Sequence, residues 1–233
     1  MKTILFNYLT KIWHEAAALN NEIIVSLIKP GANMNILDVG FFRGDLVTKR
    51  FKKNKNSQIY GIDIDSEAIS SAKHLGIITK KYNIEKGLPY KSDFFDIVVA
   101  NQIIEHLIDI DLFVKEIFRV IKPKGYVVVS TENLSSWHNI FALVLGWQAF
   151  SQHISTKINI GNPLRLAHGE VSDIHNKIFT LRGLKDLFKA YGFKIESTFG
   201  AGYYPMPGIL GRILAKLDPH HSAFIGFKAR KNL

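Results

Sequence analysis

Residues 36–65 carry the stretch that decides the fold: ILDVGFFRGDL (36–46), a basic run through Lys55, then IYGIDID (59–65). An apolar segment, Asn35–Val39, ends at a glycine turn. A second apolar segment over 58–62 ends at the acidic tip Asp63-Ile64-Asp65. The residues between them, 45–53, read as a short helix. Strand, turn, helix and parallel strand make one α/β unit, because a parallel partner can be reached only through a crossover.

The pattern repeats downstream. Asp65 or Ser66 can cap a helix that runs to Gly76, a natural stop. Strand 77–82 follows. Residues 95–100 (FDIVVA) form a near-continuous apolar run, as in a strand buried on both faces. A helix over 109–121 closes at Pro123-Lys124-Gly125, and strand 126–130 (YVVVS) comes next. Regularity breaks over 134–176, which holds apolar IFALVLGW and four of the nine histidines. This segment is expected to be an inserted lid over the ligand-bearing edge, with an apolar helix at 137–150. Helix 180–191, strand 193–199, a Gly/Pro-rich loop, a short helix near 209–217 and strand 223–229 complete the chain. The expectation is one domain over 1–233. An N-terminal segment, 1–30, contributes an amphipathic helix over 3–28. The sheet is doubly wound, seven-stranded, Rossmann-like and mostly parallel, with its last strand antiparallel.

Composition bounds the function. Length 233, 47% apolar and 21% charged residues suit one α/β domain. With no cysteine, disulfides, thiolate zinc sites and a cysteine nucleophile are excluded. That is compatible with a cytoplasmic location, and the N-terminus does not read as a signal peptide. The net charge of +10 could attract nucleic acid, anionic lipid or an acidic substrate. The dense basic run Lys49, Arg50, Lys52, Lys53 and Lys55 lacks interleaved aromatic residues, which points away from nucleic acid.

In an open parallel sheet, ligands sit beyond the carboxyl ends of the strands. Asp38, Asp63, Asn83 and Asn101 all stand at such ends. Asp63 lies 19 residues after Gly44, close to the spacing at which an acid reaches a ribose hydroxyl pair. Each has a plainer reading as a cap or turn residue; together they make a site pattern.

ILDVG…RG, GIDID, FDIVVANQIIEHL, RVIKPKGYVVVST and HNKIFTLRGLKDLFKAYGF resemble, in order, the motifs of class I S-adenosylmethionine-dependent methyltransferases. The similarity spans roughly residues 35–230 and is nearest to the group that includes ubiquinone-biosynthesis O-methyltransferases. It implies S-adenosyl-L-methionine as cofactor. Asp38, Gly40 and Gly44 would cradle its methionine end. Asp63, with Ile64 beside it, would bind the ribose hydroxyls. Asn83 and Ile84 would face the adenine, and Asn101 would lie near the transferring methyl. Phe42 stands where the family usually has glycine, and Glu132 where relatives often have proline.

The resemblance implies methyl transfer to a small-molecule, lipid- or glycan-linked acceptor, at oxygen. A hydroxyl acceptor needs a general base, and histidine is the usual choice. Candidates are His106, His138, His153, His168 and His175, with His175 in HNKIFT first and His106 second. His220-His221 reads as a solvated turn. Glu105-His106 can join a further acid to bind a divalent metal in ubiquinone-type relatives; Gln102 stands three before Glu105 here, so no metal is expected. Glu105-His106 is then expected to shape the acceptor pocket or cap the next helix. The apolar lid helix reads first as lid core, with an acceptor pocket or peripheral membrane contact as the alternative. Two other readings stay open: a non-catalytic binding protein that kept the fold, and an RNA or protein methyltransferase using the basic surface. Oligomeric state is open.

Overall fold

The computed structural model describes residues 2–41, 56–155, 157–158, 160–164 and 174–232. Helix 45–53, Phe42, Gly44, His168 and the basic run 49–55 lie outside them.

Seven strands form one sheet: β1 (Asn35–Val39), β2 (Gln58–Asp63), β3 (Ile78–Lys81), β4 (Phe95–Asn101), β5 (Ile121–Glu132), β6 (Phe193–Ala201) and β7 (Phe224–Lys231). Their order is β3-β2-β1-β4-β5-β7-β6. The first five run parallel, while β7 is antiparallel to both β5 and β6. The expected doubly wound, mostly parallel architecture is the one observed. The helices are α1 (Lys2–Leu27), α2 (Ser66–His74), α3 (Ile110–Val120), α4 (Trp137–Val144), α5 (Leu181–Ala190) and α6 (Gly208–Leu217).

Side-chain alternation along the strands builds a core on each face. Leu37, Val39, Val98, Ala100, Val127 and Val129 face α3 and α5, whose Phe113, Ile117, Leu184 and Phe188 are fully buried. Ile36, Ile97, Val99 and Val128 face the other way, against Ile24 and Ile28 at the end of α1 and Ala68 and Ala72 of α2. Phe41 joins this second core: its ring lies on Gly61, where a Cβ would come within 2.7 Å of it. A third cluster seats Ala16 and Leu19 of α1 on Ala201, Ala223 and Phe224. Caps fall where the sequence puts them. Asp65 Oδ1 accepts from Glu67 N, Asp109 Oδ1 from Leu112 N, and Thr180 Oγ1 from Gly183 N.

Two elements differ from expectation. The lid helix ends at Val144, not at 150, because Gly146 takes a left-handed conformation (φ 73°) and its N–H bonds back to Leu143 O. Pro123-Lys124-Gly125 does not separate helix from strand. Strand β5 already pairs at Ile121 with Phe95, leaves register, and pairs again at Tyr126 with Ile97. The intervening residues form an irregularity within the strand.

Gly40 closes β1 at φ 65°, and a Cβ there would lie 2.5 Å from Ile103 Cδ1. Gly40→Ala is therefore expected to cost about 2 kcal/mol, lowering Tm by roughly 5 °C, through left-handed strain and a clash at the turn. A thermal melt checks this; an unchanged Tm would show that the turn relaxes freely.

Candidate active site

The carboxyl ends of the first four strands make a continuous row. Gly40 N donates to Ile62 O (2.9 Å), which places Gly40 beside Asp63, the next residue on β2. Asp63 O in turn accepts from Tyr82 N (2.9 Å), one residue before Asn83. On the other side, Val39 pairs with Ala100, so Gly40 follows opposite Asn101. Asn83, Asp63, Gly40 and Asn101 thus stand on adjacent strand ends, as their sequence positions suggest.

Local bonding gives each a particular environment. Asp38 is fully buried within β1, and Asp63 is half-buried, its Oδ1 accepting from Asp65 N at 2.9 Å. Asn83 caps the short 3-10 turn Ile84–Lys86, its Oδ1 accepting from Glu85 N at 3.0 Å. Ile64 is exposed and Ile84 half-buried. Asn101 has a job its sequence position did not announce. Its Oδ1 accepts from Asn20 Nδ2 (2.9 Å) and its Nδ2 donates to Asn21 Oδ1 (3.1 Å), while Ser130 Oγ donates to Asn20 Oδ1 (2.6 Å). This nearly dry amide network fixes α1 to the tips of β4 and β5.

A second cluster stands above those two tips. Residues 174–177 run against Glu105-His106: Lys177 N donates to Glu105 O (3.1 Å) and Asn176 Nδ2 to His106 O (2.6 Å). These two bonds bring His175 to His106, ring centroids 4.9 Å apart, with His153 5.4 Å from His175. Each of the first two imidazoles has Nδ1 on a backbone carbonyl, His106 on Ile174 O at 3.0 Å and His175 on Ser151 O at 2.7 Å. A carbonyl only accepts, so Nδ1 carries the proton and Nε2 carries the lone pair in the neutral ring. Glu132 Oε2 lies 3.7 Å from His175 Nδ1, which gives a role to the residue found where relatives often have proline.

Glu105 is buried and does not cap α3; Asp109 does. With its amide oriented to suit both neighbours, Gln102 donates to Glu105 Oε1 (3.1 Å) and accepts from Thr131 N (3.3 Å). Burial pushes the Glu105 carboxyl from 4.5 to about 7, against the pull of His175. The folded state therefore holds this proton more tightly than the unfolded chain. The contribution is fully present below pH 4.5 and is lost as pH rises through about 7. Glu105→Gln is expected to raise stability at pH 8 by up to about 3 kcal/mol, and hardly at pH 4. Melts in chelator at both pH values check this; an equal gain at both would contradict it.

One ligand atom each from Glu105, His106 and His175 lies within 4.8 Å of the others. These three could hold a divalent cation. The sequence expectation of no metal rested on Gln102, yet the third donor here comes from residue 175 instead.

His138 is buried at the other end of α4, its Nε2 3.3 Å from Ser136 Oγ, and burial pushes its pKa down to about 3. It is not surface. Together with Leu9, Trp137, Phe141, Phe150 and Tyr204 it lines an apolar cavity of about 480 Å³. His221 is held by Asp218 (2.7 Å) and stacks on Trp137 (4.6 Å between centroids). Neither Asn20 nor Ser151 was marked by the sequence. The adjacent pair Asn20-Asn21 at the end of the apolar run Ala16–Leu19 was the available signal for the first. Nothing in the sequence signals a backbone carbonyl such as that of Ser151.

The sheet order and the reversed last strand define a Rossmann-like methyltransferase fold. The model of the family described as "Methyltransferase domain" matches residues 12–198, and the chain belongs to that family. The mitochondrial ubiquinone biosynthesis O-methyltransferase of Bos taurus is 26% identical over 193 residues, covering 77% of this chain and 46% of that protein. The ubiquinone biosynthesis O-methyltransferase of Bradyrhizobium diazoefficiens is 30% identical over 138 residues, covering 57% and 53%. The chain thus spans about half the length of these curated relatives. Among solved structures, a SAM-dependent methyltransferase from Thermotoga maritima superposes with TM-score 0.66 over the whole of both chains at 17% identity. At that identity the likeness concerns the fold.

Proposed function

We propose that this protein methylates a hydroxyl group of a small, largely apolar molecule, with His175 as general base. The observation that carries this reading is the Nδ1 contact of His175 with Ser151 O at 2.7 Å, which fixes the ring and leaves Nε2 to accept a proton. Asp63 and Gly40 would hold the ribose and methionine portions of S-adenosylmethionine, with Asp38, Ile64, Asn83, Ile84 and Asn101 around it; Gly44 belongs to the same set. The residues present suit such a guest. Gly40 leaves no room for a Cβ, and Asp63 offers a half-buried carboxylate at the next strand end. When bound, this cofactor supplies an electrophilic methyl group, so the protein's part is to orient, dry and deprotonate.

His106 packs edge-on against His175 and limits its rotation. Glu132 Oε2 lies 3.7 Å from His175 Nδ1, on the side of the ring away from Nε2. The apolar cavity beside α4 suits the acceptor's hydrocarbon body. The segment near 134–176 serves as the lid. The similarity of the ubiquinone biosynthesis O-methyltransferases supports oxygen as the target. The test is transfer of labelled methyl from S-adenosylmethionine to a panel of phenols, catechols, aliphatic alcohols and amines. Label on hydroxyl compounds supports the proposal; label only on amines overturns it.

A further inference from the structure

Helix α6 turns its apolar side outward. Ile209, Ile213 and Leu217 recur at helical spacing on the solvent side, Ile209 83% and Leu217 76% exposed, while Gly211 and Ala215 face inward. Helix α4 does the same through Phe141, Val144 and Leu145, with Val144 79% exposed. The first half of α1 borders both: Leu9 lines the cavity beside α4, and Tyr8 lines a groove with Pro207, Ile209 and Ile213. Single exposed apolar residues are ordinary, but grouped ones on two such helices mark a contact surface.

Charge identifies what covers it. No Asp or Glu occurs in the sequence stretches 1–14, 133–155 or 197–217, from which the described residues of this face come, although the chain has 20 acids. Lys11, Arg212 and Lys216 stand in them. Glu15 and Glu22 border the α1–α6 groove and are neutralised there: Glu15 accepts from Gly208 N (3.0 Å) and lies 3.9 Å from Lys11, and Glu22 pairs with Arg212 (2.8 Å), while Lys216 stands outside these two pairs. A second copy would bring two chains of charge +10 together, whereas an anionic surface is attracted. No helix among the described residues is long and apolar enough to cross a membrane, so insertion would be shallow.

We propose that α4, the first half of α1 and α6 form a docking surface for an anionic lipid bilayer, with Ile209, Ile213, Val144 and Phe141 entering the headgroup boundary. Lys216, on the same helix as Ile209 and Ile213, would then meet the phosphates, where a cation near an anionic surface contributes to binding. The inference stands apart from the choice of acceptor and from His175.

The test is sedimentation of the purified chain with phosphatidylcholine vesicles, and with the same vesicles carrying phosphatidylglycerol. Binding to the anionic vesicles is expected, weakening as salt rises, with little binding to the neutral ones. The double variant Ile209→Asp, Ile213→Asp is expected to lower partitioning by about tenfold or more, with Tm and S-adenosylhomocysteine affinity unchanged. Lys216→Glu is expected to lower it by about fivefold. Absence of binding to either vesicle, or full binding by the double variant, overturns the proposal. So does a dimer that the double variant dissociates, because a second copy would then cover this face.

Discussion

His175→Asn is expected to lower kcat for methyl transfer to a hydroxyl acceptor by about 10²–10⁴-fold while changing cofactor affinity by less than about twofold. The asparagine Nδ2 stands about where the imidazole Nδ1 does, so it can keep the bond to Ser151 O and the loop stays anchored, but it has no nitrogen able to take a proton. The split matters: a residue that only ordered the lid would raise KM for the acceptor and leave kcat largely alone. Because Glu105, His106 and His175 could also hold a divalent cation, the wild type is assayed with and without chelator. Full activity in chelator together with a collapsed variant supports the base. Loss of wild-type activity in chelator would make His175 a ligand, and unchanged kcat in the variant would remove it from the chemistry.

Asp63→Ala is expected to weaken S-adenosylhomocysteine binding by roughly 10–100-fold, about 1.5–3 kcal/mol, the scale of hydrogen bonds to a charged group. Asp63 is half-buried at the end of β2, and its Oδ1 accepts from Asp65 N. A thermal melt of the variant separates lost affinity from lost fold. Asp63→Asn should bind between the two, since it keeps one acceptor and loses the charge. Titration calorimetry on the three proteins reads this directly. Equal affinity in all three would move the ribose elsewhere. No binding by the wild type would favour the non-catalytic reading of the fold.

The alternation of strands and helices was legible because β1, β4 and the second half of β5 are buried on both faces and α2, α3 and α5 each start at a capping side chain. Asp65, Asp109 and Thr180 cap their helices, and the row Asn83, Asp63, Gly40, Asn101 follows from strand ends alone. Two kinds of information were hidden. A glycine's conformation decides whether a helix continues, so an apolar run through Gly146 reads as one helix until φ is known. Contacts distant in sequence were also hidden. Asn20 lies 81 residues from Asn101, and Glu105 and His106 are joined to the segment carrying His175 by bonds from Lys177 N and Asn176 Nδ2. Local pattern reports what a segment prefers, not which buried amide will find it.

The anchoring of α1 has a practical corollary for anyone shortening this chain. A deletion through Leu27 would remove the partners of Asn101 and Ser130 and uncover Phe224, all at the working end of the sheet. The loss would surface as poor catalysis or aggregation, though no strand had been cut. Affinity tags and fluorescent fusions are better carried after β7, at the opposite rim from the amide network, where the final residues lie beside Gly192.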